Sequence, residues 1–230
     1  MPWLLPAFLL CAAAAIASDL AWPGGFWPYA LLKPLTTVLV IAHAWRRGQP
    51  GDARRRALLA GLGLSLVGDV ALLWPQQGFL PGLVAFLLAH LAYLFAFTRG
   101  VRFGAWPLAF VGYALLAAGV LTLLWPGVPP GLRAPVVAYV LCLAAMAAQT
   151  ASAWHAGRTG LVAALGGALF LTSDALLATN RFHTPLPLAT LWVLATYWAA
   201  QWLIASACGS GSNMPHSTIE PSPQPHRAVR

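Results

Sequence analysis

The stretch GLGLSLVGDVALLW at residues 61–74 sets one carboxylate, Asp69, among residues that are otherwise uncharged and mostly apolar, and GGALFLTSDALLATN at residues 166–180 does the same with Asp174. A helix on the surface of a soluble protein keeps its charges on a polar face that recurs every three to four positions. Neither stretch has such a face, so each aspartate belongs inside a bundle whose outside meets hydrocarbon. The whole chain agrees. Of 230 residues, 60% are apolar and 8% are charged, against about 25% charged in an ordinary soluble domain. The apolar residues come in stretches of about 20, the length a helix needs to cross a ~30 Å hydrocarbon core. Eight such stretches fit, at roughly 3–18, 28–45, 57–74, 79–98, 105–125, 132–153, 159–179 and 186–207. The reading is an all-α, polytopic membrane protein of eight transmembrane helices over residues 1–208, with a disordered cytoplasmic tail at 209–230, rich in Ser, Pro and Gly.

The net charge of +8 would suggest nucleic acid in a soluble chain, but the basic residues lie mostly between apolar segments, so no nucleic-acid partner is expected. They read as topology marks. With the N-terminus cytoplasmic, the inside loops hold Arg46, Arg47, Arg54, Arg55, Arg56, Arg99, Arg102 and Arg158, and the outside loops hold Arg133 and Arg181. Anionic lipid would meet the run from Arg46 to Arg56. Trp27, Trp45, Trp74, Trp106, Trp125 and Trp154 sit near the segment ends, where aromatic belts form. Pro and Gly clusters mark the connectors: Trp22-Pro23-Gly24-Gly25, Trp125-Pro126-Gly127 with Pro129 and Pro130, and Pro185 with Pro187. The first segment lacks the basic residues of a signal peptide and is read as a retained span. Cys11, Cys142 and Cys208 lie in apolar stretches and make neither a disulfide framework nor a metal-ligand set.

Shifting the chain by 105 residues aligns Gly61, Leu64, Leu66, Asp69 and Leu72 with Gly166, Leu169, Leu171, Asp174 and Leu177. This is the pattern two parallel four-helix repeats would give, with one aspartate on the third segment and one on the seventh. Only Lys33, Asp69 and Asp174 are strongly charged residues well inside a segment. Each costs about 2.5–3.5 kcal/mol to insert, so such residues face a bundle interior or a wet cavity. Helical spacing groups further polar residues with them: Lys33 with Thr37, Ser65 with Asp69, His90 with Tyr93, and Tyr197 with Gln201. By depth, Lys33 and both aspartates fall in the outer half, with His90 and Gln201 nearer the midplane, so a polar pocket would open toward the non-cytoplasmic side.

The charge sum predicts Lys33 beside one ionised aspartate, while the other stays protonated or pairs with His90. Two carboxyl groups held in different states are the usual arrangement of an acid and a base working together. Ser65 and Ser173 read as small packing residues, and His43, His155, His183, His216 and His226 as solvated. Asp19, Asp52 and Glu220 fall in connectors or the tail.

The ordered set of Lys33-Pro34-Leu35-Thr36-Thr37, Gly68-Asp69-Val70-Ala71-Leu72-Leu73, Phe86 with His90 and Tyr93, Gly167 to Ala178 running on to Asn180-Arg181-Phe182, and Tyr197 with Gln201 resembles the YhhN family, the bacterial branch of the TMEM86 lysoplasmalogenases. The resemblance implies an eight-helix membrane hydrolase that cleaves the vinyl-ether bond of lysoplasmalogens to a fatty aldehyde and a glycerophospho-alcohol. It makes Asp69 and Asp174 the catalytic pair, with Lys33, His90, Tyr93, Ser173, Tyr197 and Gln201 supporting or binding substrate. One aspartate would protonate the vinyl ether, and the other would stabilise the oxocarbenium ion and orient water, as paired carboxylates do in glycoside hydrolysis. Tyr93, Tyr197 and Gln201 would bind the glycerol or phosphate end. No metal or organic cofactor is expected, and the partners are a lysophospholipid substrate and membrane lipids. The rival reading is a proton-coupled transporter built on the same Asp, Lys and His cluster. An intramembrane aspartyl protease fits less well, because Leu66-Val67-Gly68-Asp69 lacks the first glycine of a Gly-x-Gly-Asp motif. A lipid-binding protein without activity is the third alternative. Twelve arginines to one lysine suggest a G+C-rich bacterial gene, hence an inner-membrane location.

Overall fold

The computed structural model describes residues 3–22, 25–47 and 49–209, and among these are eight α-helices and no strand. The helices are α1 (Leu4–Ala21), α2 (Phe26–Trp45), α3 (Ala53–Ala71), α4 (Phe79–Thr98), α5 (Pro107–Leu124), α6 (Pro130–His155), α7 (Leu161–Phe182) and α8 (Ala189–Ser206), with short 3-10 turns at Trp125–Gly127 and Ala207–Gly209. The tail beyond Gly209, with Glu220, His216 and His226, lies outside the described residues, as do Pro23 and Gly24. Six helices, α1 and α4 to α8, are long and apolar enough to cross a membrane. That is two fewer than the eight expected. Helix α3 carries Arg54, Arg55, Arg56 and Asp69, and α2 carries Lys33, Thr36, Thr37 and His43, so both are more polar than the rest.

Local chemistry sets several ends. The Asp52 carboxylate accepts the Arg54 N–H at 3.0 Å and caps α3. Helix α3 therefore begins at Ala53, earlier than expected, and takes Arg54–Arg56 out of the loop. Arg54 and Arg55 are buried. Arg55 donates to the carbonyls of Arg47 and Trp45, and Arg158 donates to that of Gly100. These arginines tie one end of the bundle together as well as marking it. Prolines at the start of α5 and α6 use positions where no amide donor is needed. Asp19, expected in a connector, lies within α1 and accepts the Thr190 hydroxyl at 2.6 Å. His43, expected to be solvated, stacks on Trp202 at 3.9 Å, and His155 stacks on Trp106 at 4.4 Å.

The helices run up and down. Helices α2, α3, α4, α6, α7 and α8 form a ring in that order, closed by α8 against α2. Helix α1 packs outside on α2 and α8, and α5 packs outside on α6 and touches α7. Several pairings recur four helices on, α1–α2 with α5–α6, α2–α3 with α6–α7, α3–α4 with α7–α8, and α4–α6 with α8–α2, but α1 also packs on α8 whereas α5 touches α7 instead.

Glycines allow the closest approaches in the ring. A Cβ on Gly61 would lie 2.3 Å from the Tyr93 ring, and one on Gly68 2.5 Å from the Phe86 ring. On Gly167 it would lie 2.2 Å from Thr150 Oγ1 and 3.1 Å from Ala147 Cα. Without a side chain at Gly61 and Gly68 the Tyr93 and Phe86 rings of α4 lie directly on α3, and at Gly167 the backbones of α6 and α7 approach closely, as small residues allow between helices in lipid. Gly112 and Gly119 on α5 have open space at the same distance. Overpacking costs about 1–3 kcal/mol, so Gly167→Leu is expected to lower the unfolding midpoint in detergent by roughly 3–10 °C. Gly112→Leu and Gly119→Leu are expected to leave it unchanged within about 2 °C. Thermal melts of the three purified variants check this.

Candidate active site

A cavity of about 520 Å³ opens at the end of the bundle opposite the arginine cluster. Its wall is mostly apolar, with Leu72, Leu83, Val120, Val136, Leu143 and Leu171 among the lining residues, and it reaches the inner face of α5 at Ala117, Val120 and Leu124. Lys33 from α2, Asp69 from α3, Tyr139 from α6, Asp174 and Ser173 from α7, and Tyr197 from α8 bring polar atoms to it. Sequence spacing placed these residues on separate helices. The order of the ring is what collects them around one space.

Asp69 is 1% exposed and Lys33 5%. Lys33 Nζ stands 3.9 Å from Asp69 Oδ1, the one ion pair among the described residues. Asp69 Oδ2 accepts the Thr37 hydroxyl at 2.6 Å and the Tyr197 hydroxyl at 2.8 Å. Both hydroxyls are themselves held. Trp198 Nε1 donates to Thr37 Oγ1 at 3.4 Å, and Gln201 Nε2 donates to the Tyr197 oxygen at 3.1 Å. Gln201 Oε1 in turn accepts from Tyr93 at 2.8 Å, and Tyr93 lies 3.2 Å from Ser65 Oγ. With Tyr93 committed as a donor, Ser65 is left to donate to it. The chain from Ser65 through Tyr93, Gln201 and Tyr197 thus points its protons toward Asp69. A carboxylate that receives two O–H donors and faces an ammonium suits the ionised form, which accepts only.

Asp174 has different company. Its Oδ2 accepts the Tyr139 hydroxyl at 2.5 Å, and no cation pairs with it among the described residues. Ser173 lines the cavity beside it, but its hydroxyl donates to the Val193 carbonyl at 2.9 Å and ties α7 to α8.

Lys33, Asp69, Asp174, Ser173 and Tyr197 therefore meet at the cavity. Tyr93 and Gln201 do not line it. They reach Asp69 through Tyr197, so the expected contact of these two with a glycerol or phosphate group gives way to a role behind the wall. His90 does not pair with either aspartate. It is fully buried among Phe170, Tyr139 and Tyr93, with ring centroids at 4.6, 5.2 and 6.4 Å, and neither ring nitrogen has a hydrogen-bond partner. The face that α4 shares between His90 and Tyr93 turns into an aromatic cluster that also holds Phe86 and Tyr197, with centroids between 5.5 and 6.5 Å around Phe170. Two partners were not singled out as site residues from sequence. Thr37 stood four residues from Lys33, and Tyr139 was the one phenol on its segment. Among the described residues no group of three or more His, Cys, Asp or Glu side chains gathers to hold a metal ion.

A family model described as the YhhN family matches residues 29–208. The pig protein named Lysoplasmalogenase TMEM86B is 38% identical over 209 residues, covering 88% of this chain and 84% of that protein. Its human counterpart of the same name is 37% identical over 181 residues, covering 77% and 74%. The Escherichia coli O157:H7 protein named Uncharacterized membrane protein YhhN is 28% identical over 198 residues, covering 85% and 94%. No solved structure matches.

Removing one partner of a buried ion pair costs about 3–5 kcal/mol, because the other charge stays buried alone. Lys33→Met is therefore expected to lower the unfolding midpoint by roughly 6 °C or more, and Lys33→Met combined with Asp69→Asn to recover part of the loss. A double-mutant cycle on thermal unfolding in detergent measures the coupling.

Proposed function

The chain belongs to the YhhN family, and from that premise we propose that it is a membrane lysoplasmalogenase acting through Asp174 and Asp69. The observation that carries the reading is the contrast between two carboxyl groups on one largely apolar cavity: Asp69 faces Lys33 and accepts two directed hydroxyls, whereas Asp174 has one phenol and no cation. The relatives named as lysoplasmalogenases favour a hydrolase over the transporter alternative.

Vinyl-ether hydrolysis begins with proton transfer to the carbon distal to oxygen. Asp174 is the donor, with its remaining oxygen steadied by Tyr139. The resulting oxocarbenium ion is stabilised by the Asp69 carboxylate, whose orientation is fixed in advance by Thr37, Tyr197 and Lys33, so little reorganisation is needed as charge develops. Asp174, now a carboxylate, takes a proton from the water that attacks the cation, which regenerates the acid and leaves a hemiacetal. Breakdown of the hemiacetal moves one proton from its hydroxyl to the ether oxygen and releases aldehyde and alcohol. The alkenyl chain lies along the apolar wall toward Ala117 and Val120 of α5.

Asp174→Asn and Asp69→Asn are each expected to cut aldehyde release from lysoplasmenylethanolamine by at least about 10²-fold, and Tyr139→Phe by roughly tenfold. The assay uses purified protein in detergent, with a saturated ether lysolipid as the uncleaved control. Turnover in detergent also separates hydrolysis from transport, which needs two compartments. Undiminished activity in either folded aspartate variant would sink the proposal.

In the membrane, all eight helices are proposed to cross, in two parallel four-helix repeats. Helices α2 and α3 can do so because their charged groups turn inward or sit at the arginine-rich end. That end, with both termini, is assigned to the cytoplasm of a bacterial inner membrane by the excess of arginine, and the cavity then opens toward the other side. Single cysteines in a background without Cys11, Cys142 and Cys208 check this. One placed at Arg102 is expected to resist a membrane-impermeant maleimide on intact spheroplasts, and one placed at Gln76 to react with it. The reverse pattern would invert the topology.

A further inference from the structure

We propose that Arg181, with the side-chain amide of Asn180, is the site that holds the phosphate of the lipid substrate, an inference that rests on the lysolipid reading above. Both residues line the cavity that holds Asp174. They follow Asp174 on α7 by six and seven residues, so Arg181 stands two turns nearer the open end, about 10.5 Å along the helix at 1.5 Å per residue. In a 1-alkenyl glycerophospholipid, seven bonds separate the carbon that is protonated from the phosphorus, roughly 8 Å when extended at about 1.2 Å of advance per bond. A guanidinium bound to the phosphate oxygens adds one further contact distance. The spacing therefore lets one molecule present its vinyl ether to Asp174 and its phosphate to Arg181.

The charge pattern at the mouth points the same way. Of the cations on the cavity wall, Lys33 is committed to Asp69 and Arg181 is not committed to any carboxylate among the described residues. Arg181 is exposed, and its guanidinium rests 3.9 Å from the centroid of the Phe79 ring, itself part of the wall. A guanidinium stacked on an aromatic ring keeps its edge donors available for bidentate contact with phosphate oxygens. Asn180 Oδ1 accepts the Leu186 N–H at 2.9 Å, which fixes the amide and leaves its Nδ2 hydrogens to donate elsewhere. Arg133, the other arginine at this end, lies over Trp125, donates to the Val128 carbonyl at 3.4 Å and does not line the cavity. A helix C-terminus or a membrane interface would account for an arginine there. It would not account for one facing the cavity beside a fixed amide.

The test uses two uncleavable probes, 1-O-hexadecyl-glycerophosphoethanolamine and 1-O-hexadecylglycerol, with binding to the purified protein followed by tryptophan fluorescence. The native protein is expected to bind the phospholipid about ten- to a hundredfold more tightly than the glycerol ether. Arg181→Gln is expected to bring the two within about threefold by weakening the phospholipid alone, Arg181→Lys to keep part of the preference, and Arg133→Gln to keep all of it. Inorganic phosphate, as a competitor, distinguishes a general anion site from one that needs the lipid. Displacement of the phospholipid at millimolar phosphate supports the anion chemistry directly. An unchanged ratio in Arg181→Gln, or equal weakening of both probes, would overturn the assignment. Because these probes are not cleaved, the result is independent of turnover: a lost preference in a protein that releases no aldehyde leaves the phosphate site standing and removes the hydrolase reading.

Discussion

The buried charge of Asp69 is the constraint to which the rest of the bundle answers. A carboxylate at 1% exposure in an apolar interior is unfavourable by several kcal/mol unless its partners come with it. Those partners arrive from α2, as Lys33 and Thr37, and from α8, as Tyr197. Meeting the charge therefore requires the eighth helix to pack against the second, which itself lies beside the third, and that contact closes the ring. Gln201 and Tyr93 then extend the same hydrogen-bonded chain from α8 to α4. Each donor in it is directed by the one behind, so the hydroxyl protons at Asp69 are fixed before any ligand arrives. Preorganisation of this kind is what a site must have if developing positive charge is to be stabilised without moving dipoles.

The same interactions explain why the wall of the cavity is polar at a few points only. Tyr93, Gln201 and Ser65 spend their hydrogen-bonding capacity on one another and on Tyr197, and Ser173 spends its own on the Val193 carbonyl. Around the two carboxyl groups the cavity is left with one committed ammonium and the phenols of Tyr29, Tyr139 and Tyr197 on a largely apolar wall, with Asn180, Arg181 and Thr190 as further polar lining residues. A largely apolar wall of this kind suits an alkyl chain.

The eight helices, the two aspartates and Lys33 were legible in the sequence for one reason: charged residues are scarce in apolar segments, so position alone made them stand out. Their partners were not legible, because helical spacing shows which residues share a face and not which helix that face meets. Tyr139 and Asp174 are 35 residues apart and bond only because α6 and α7 are neighbours in the ring. His90 illustrates the converse. It shares a face with Tyr93 as the spacing implied, but that face packs against Phe170 and Tyr139, and a histidine read as a partner for one of the aspartates is enclosed by rings. The arginines of α3 were read as loop residues because their charge outweighed the signal of Asp52, whose carboxylate starts the helix ahead of them.

Helices α2 and α6 hold corresponding places in the ring, and each supplies the partner of the aspartate on the helix that follows it. The difference between the two aspartates can thus be traced to a few positions. At the 105-residue shift that superposes Asp69 on Asp174, Lys33 falls on Ala138 and Thr37 on Cys142. The ammonium and the hydroxyl present on one side are replaced on the other by a methyl and a thiol, and the cavity gains the Tyr139 phenol one residue further on. Similar surroundings of helices, differing in these side chains, hold one carboxyl group where an anion is matched by a cation and the other where none is. Two carboxyl groups can be given different surroundings in this way without any change in backbone architecture. What separates them is the side chains that α2 and α6 turn toward the space between.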